Sequence, residues 1–124
     1  MALSKHEKSV LEGLLHNAVV SRDGGKCRKC GSLTRLSAAH IYSKGKHRKM
    51  RYILENVITL CYRCHIHWAH KEPIEFTEWI QSELGEAEYQ RLRLRANYVD
   101  KSILDYNLIK VFLEAKIKEY ENTI

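Results

Sequence analysis

All four cysteines of this chain fall in two CxxC pairs, Cys27/Cys30 and Cys61/Cys64, with 30 residues between the pairs. Each pair offers two thiols from one tight turn, and two such turns complete the tetrahedral sulfur shell that zinc prefers. Two disulfides, or four buried free thiols, would use the same residues. The N-terminal stretch lacks the basic-then-apolar layout of an export signal, so a reducing, cytoplasmic setting is expected and zinc is favoured. Four protein ligands leave no open coordination position, so the ion is expected to be structural. A simple zinc ribbon leaves about 15 to 20 residues between its pairs. The longer loop here carries His40, His47 and five basic residues from Lys44 to Arg51, and it needs a purpose beyond closing a ring.

A chain of 124 residues supports one compact domain with a modest core. Its composition, 44% hydrophobic and 29% charged, is that of a globular protein and too apolar for a disordered one. No run of eighteen apolar residues suggests a membrane span. The expected fold is α+β and mainly helical, in three parts: an N-terminal helix over 1–22, a zinc-stapled core over 23–72 and a helical region over 73–124. Val10, Leu11, Leu14, Leu15 and Ala18 recur at helical spacing before Asp23-Gly24-Gly25 closes the first helix. Two β-prone stretches follow, one ending in Ala38-Ala39-His40-Ile41-Tyr42 and one over Asn56-Val57-Ile58-Thr59-Leu60, with a short helix from about Cys64. Pro73 suits the first turn of a helix with Phe76, Trp79, Ile80 and Leu84 on one face, and Gly85 ends it. Tyr89 and Leu92 mark a weaker helical face. Leu104, Leu108, Val111, Phe112 and Ala115 mark a helical stripe on a last helix, capped by Asp100 or Ser102, which packs on the centre or against a second subunit.

Charge is segregated. Between Arg22 and Arg51 ten Lys/Arg stand against the single acid Asp23, a net of +9, so the other 94 residues carry −3 of the chain's +6. Such a block is the footprint of a phosphate-binding surface, although a solvated face has the same composition. An interfacial membrane helix would show an apolar stripe that this Gly-, Cys- and His-rich segment lacks.

Three polar residues in the frame of the cysteines draw notice: His40 after an Ala-Ala pair, Asn56 before the second strand, and His65 directly after the last cysteine. Singly, each has an ordinary explanation as a solvated histidine or a turn-forming asparagine. In the order His, Asn, CxxC-His they resemble the zinc-bound form of the HNH (ββα-metal) endonuclease family. Over about residues 27–72 the segments Ala38-Ala39-His40-Ile41-Tyr42-Ser43, Lys46-His47-Arg48, Arg51-Tyr52, Asn56-Val57 and Cys61-Tyr62-Arg63-Cys64 are similar to phage recombination nucleases of the NinG/Rap type. The resemblance implies a β-hairpin followed by a helix with one divalent cation, Mg²⁺, Mn²⁺ or another, held between them. It implies that His40 is the general base activating water, that Asn56 fixes the loop and so orients His40, and that His65 is a ligand of the catalytic cation. Many members carry Asp or His where this chain has Ala39, so the cation must use His65 with His67 or His70. In a regular helix His67 and His70 share a face and His65 joins neither.

On this reading Lys44, Lys46, Arg48, Lys49 and Arg51 hold the DNA backbone beside the scissile phosphate, with affinity but little sequence readout. His47 reads as a surface residue. Duplex or branched DNA is the expected partner, in the cytoplasm of a phage's host or of a bacterium, and two copies could pair through the C-terminal helices. The competing readings are a non-catalytic zinc module that binds nucleic acid and a protein-interaction domain built on the last helix.

Overall fold

The computed structural model describes residues 2–98 and 103–122. The first helix, α1 (Lys5–Arg22), starts at a capping box: the Glu7 N–H donates to Ser4 Oγ at 3.1 Å, and the Ser4 N–H donates to the Glu7 carboxylate at 2.9 Å. It ends at Asp23, where Gly24 and Gly25 take positive φ of 75° and 72° and turn the chain toward the first cysteine pair. Strands β1 (Leu36–His40) and β2 (Val57–Cys61) pair antiparallel, with Leu36 opposite Cys61 and His40 opposite Val57. The connection between them holds two short 3₁₀ turns, Arg48–Met50 and Leu54–Asn56. A π-helix, Arg63–Ala69, follows β2 after one residue, and α2 (Pro73–Leu84), α3 (Glu86–Asn97) and α4 (Tyr106–Glu121) complete the chain.

The hairpin divides the interior. On one side Ala39, Ile58 and Leu60 pack with Cys27, Cys61, Cys64, Ala69, Phe76 and Ile80, and Trp68, Phe76 and Trp79 meet with ring centroids 5.5 to 6.2 Å apart. On the other side Val57 packs with Leu11, Leu15, Ala18 and Val19 of α1 and Leu113 of α4. The architecture is therefore α+β and mainly helical, with a small two-stranded sheet at its centre. Among the described residues no helix is long and apolar enough to cross a membrane.

Asp23, read from sequence as a turn former, is the clamp between α1 and the hairpin. Its carboxylate accepts from Arg22 at 2.9 and 3.1 Å, from Arg28 at 3.1 Å and from the Thr59 N–H at 2.9 Å. Arg22 also donates to the carbonyls of Leu54 and Val57, both at 2.7 Å. A buried carboxylate is tolerated because every lone-pair direction meets a donor.

The last helix covers α1 with a face other than the one the sequence singled out. Leu113 is fully buried, flanked by Tyr106, Ile109, Ile117 and Tyr120, whereas Leu108 and Val111 are 68% and 64% exposed and Phe112 is also exposed. The helix carries two apolar faces of similar spacing, and the one that covers α1 holds Ile109, Leu113 and Ile117. Its cap is Asp105, whose carboxylate accepts from the Leu108 N–H at 3.1 Å; Asp100 and Ser102 lie outside the described residues.

Candidate functional site

The two cysteine pairs converge. The first sits in a tight turn, where the Gly31 N–H donates to the Cys27 carbonyl at 2.9 Å and Gly31 takes a φ of 81°. A hydrogen bond of 3.0 Å from the Arg28 N–H to the Thr59 carbonyl ties that turn to β2, which delivers Cys61 at its own end. Cys64 lies in the first turn of the π-helix. All four Sγ atoms lie within 4.8 Å of one another, and Cys30 and Cys61 are 3.6 Å apart, too far for a disulfide. A tetrahedral ion with Zn–S bonds of about 2.3 Å requires sulfurs roughly 3.8 Å apart, so the cluster fits a zinc-like ion. Burial pushes the Cys64 thiol up; burial opposes ionisation at Cys27 too, but the backbone N–H groups of Cys30, Cys61 and Lys29 bring it down to about 7. Among the described residues this is the one group of three or more His, Cys, Asp or Glu side chains close enough to hold a metal ion.

Beside the cluster, an open cleft of about 680 Å³ lies between the hairpin and the helices, and His40, Lys44, His65 and His70 line it together. His40 enters from the end of β1. Its Nε2 lies 2.9 Å from the Arg51 carbonyl oxygen, which can only accept, so Nε2 carries the proton and Nδ1 keeps its lone pair. Burial holds the imidazole below its ordinary pKa, with the Lys44 and Arg51 charges adding to the effect against the opposing pull of the Arg51 carbonyl and Glu12. Neutral imidazole is the form that can take a proton.

His65 comes from the π-helix. Ser37 on β1 donates its hydroxyl hydrogen to the Leu60 carbonyl at 3.1 Å, so its oxygen accepts from Nδ1 of His65 at 2.9 Å. That leaves the His65 Nε2 lone pair for a cation or another donor. Burial, then the neighbouring His70, lowers the pKa of His65 as well.

Helical winding decides which histidine accompanies it. The His70 N–H donates to the His65 carbonyl at 3.1 Å, five residues back, and the wider π turn stacks positions 65 and 70. Their ring centroids are 4.6 Å apart. His67 instead meets Tyr62 edge-on at 5.3 Å, away from the cleft. The expectation that His65 would stand apart from His70 assumed a regular α-helix, and the π-helix reverses it.

Asn56 is fully buried behind this site. Its Oδ1 accepts from the Tyr42 N–H at 2.8 Å, and its Nδ2 donates to the carbonyls of Tyr42 and Met50, both at 3.0 Å. Both ends of the basic loop are thereby held, next to the Arg51 carbonyl that receives His40. Within the loop Lys44, Lys46 and Arg48 are exposed and Lys49 is half-buried, while His47 packs edge-on against Tyr42 at 5.2 Å. Arg51, the last basic residue of the loop, is half-buried. Its guanidinium turns inward to pair with Glu12 of α1 and lies 5.5 Å from the Tyr52 ring centroid. Glu12 also lies 3.9 Å from Lys44, and the Arg51 hydrogen bond keeps its carboxyl below the usual range. Neither Glu12 nor Ser37 carries a motif signal; each matters through a partner distant in sequence.

No family model, curated protein or solved structure matches the chain.

Proposed function

We propose that the protein is a metal-dependent DNA endonuclease of the HNH (ββα-metal) class, resting on a structural Zn²⁺ held by Cys27, Cys30, Cys61 and Cys64. The observation that carries this reading is the shared cleft: His40 from the strand, held by the Arg51 carbonyl, and His65 from the helix, oriented by Ser37, line the same space. His40 Nδ1 takes a proton from water, the hydroxide attacks phosphorus in line, and the P–O bond to the leaving oxygen breaks as that oxygen takes a proton from solvent water. His65, with His70 beside it, is the place for a divalent cation, which when bound offsets charge on the phosphoryl oxygens. Mg²⁺ or Mn²⁺ keeps several waters, so few protein ligands suffice, consistent with Ala39 supplying none. Asn56 holds the loop, and through it the Arg51 carbonyl that aims His40. Lys44, Lys46, Arg48 and Lys49 face the DNA backbone, duplex or branched, and the exposed face of Leu108, Val111 and Phe112 on α4 would join two copies.

Ala39 also favours a second reading, a zinc module that binds nucleic acid without cutting it, because it removes the donor that would complete a stronger cation site. Incubating the zinc-loaded protein with labelled duplex and four-way-junction DNA, with and without Mg²⁺ or Mn²⁺, separates the two. Cation-dependent cleavage supports the enzyme; binding without cleavage under every condition supports the module.

A further inference from the structure

At the opposite end of the hairpin from His40, the chain builds a second surface. Arg35 and Tyr62 abut the ends of β1 and β2, and the Tyr62 N–H donates to the Arg35 carbonyl at 2.9 Å, extending the ladder by one pair. The Arg35 guanidinium lies over the Tyr62 ring at 4.4 Å, and His67 meets the same ring edge-on at 5.3 Å. Tyr62 stands between two cysteines of the cluster, so its backbone is fixed, yet the residue is 42% exposed. Arg35, Arg63 and His67 around it are exposed too. Among the described residues neither Arg35 nor Arg63 is in an ion pair, so this surface keeps its positive charge.

Arg35 has a φ of 54°, and among the described residues it is the one non-glycine with positive φ. Left-handed backbone is costly for arginine, and an exposed cation–π pair returns no more than that cost, so the pair does not account for its own strain. A rigid aromatic ring, a guanidinium plane and uncompensated positive charge together are the chemistry that receives an unpaired nucleobase and its phosphate.

We propose that Arg35, Tyr62 and His67 form a stacking platform for an unpaired base of the DNA substrate. This rests on the nuclease reading above and deepens it by naming a substrate class: DNA with an unpaired stretch near the cut. Five residues of strand separate Arg35 from His40, roughly 16 Å at about 3.3 Å each. That distance corresponds to about five stacked nucleotides at roughly 3.4 Å. A flap, bubble or branch of that reach from the scissile phosphate engages both sites, and an uninterrupted duplex engages only the cleft.

The test uses the full zinc-loaded chain, without added Mg²⁺ or Mn²⁺, and a short single strand carrying 2-aminopurine, against a blunt duplex of the same sequence. Binding is expected to change the 2-aminopurine fluorescence, and Tyr62→Ala is expected to weaken single-strand binding by about 5- to 150-fold while duplex binding is unchanged. Tyr62→Phe, which keeps the ring, restores it. Arg35→Gly, which relaxes the backbone outside the cysteine pairs, weakens it without loss of zinc. Single-strand binding that is identical in wild type, Tyr62→Ala and Arg35→Gly overturns the platform. Adding Mn²⁺ to the same samples reads the nuclease separately: duplex cleavage with Tyr62-independent single-strand binding sinks the platform alone. Tyr62-dependent binding without any cleavage supports the platform and sinks the nuclease.

Discussion

His40 is aimed by Arg51 through the backbone: its Nε2–H donates to the Arg51 carbonyl oxygen at 2.9 Å while the Arg51 side chain turns away to Glu12. The carbonyl is placed by Asn56, which holds the preceding residue, Met50, and the start of the same loop at Tyr42. Asn56→Ala strips three hydrogen bonds from buried and half-buried backbone groups. It is expected to cost about 1 to 3 kcal/mol of stability in urea unfolding. By misaiming His40 it is also expected to slow cleavage by about 10- to 100-fold, as loss of an orienting partner does at metal sites.

Ser37 is the corresponding support for His65. Ser37→Ala removes the acceptor that fixes the Nδ1–H tautomer, so the ring is free to turn and Nε2 is no longer held as the free lone pair. The Mn²⁺ concentration for half-maximal cleavage is expected to rise by about 10- to 100-fold. The thermal transition of the zinc-loaded protein is expected to move little by comparison. An unchanged Mn²⁺ requirement would remove His65 from the cation site.

The pH dependence follows from the burial of His40. Its pKa lies below the ordinary histidine value of 6.5, so the neutral base predominates above that pH and is lost as pH falls through the lowered value. The single-turnover rate is expected to climb with pH on the acid side, with its midpoint below pH 6.5. A rate that keeps climbing well above 6.5 would assign the titration to another group.

The cysteine cluster makes folding and metal binding one equilibrium. Zinc binding in finger-type sites is worth about 10 to 16 kcal/mol, as much as the whole stability of a small domain. Removing the ion with a strong chelator is expected to release one zinc per chain and to collapse the near-UV circular dichroism of Trp68 and Trp79, which pack against the core containing the cluster. Retention of that signal after complete zinc loss would show that the hairpin stands without the staple.

Much of this scaffold was legible in the sequence, because its signals are local. The paired CxxC spacing marks the cluster, Asp23-Gly24-Gly25 marks the end of α1, and Pro73 and Gly85 bracket α2. Other features depend on partners far along the chain. Asp23 binds the Thr59 N–H and Ser37 binds His65, and neither pairing has a spacing rule. Helix periodicity left two questions open. On α4 it found Leu108, Val111 and Phe112, but Ile109, Leu113 and Ile117 recur as well, and periodicity does not say which apolar face meets α1. In the segment after Cys64 it assumed 3.6 residues per turn, whereas the π-helix pairs His65 with His70.

The central claim is that His40 does the chemistry. Its most direct test is the cleavage rate of His40→Ala on labelled duplex DNA with saturating Mn²⁺, beside wild type with matched zinc content and matched DNA binding. The account requires wild-type cleavage and a loss of about 100- to 10,000-fold in the variant, the range for removal of a general base. A variant that cuts at the wild-type rate would contradict it.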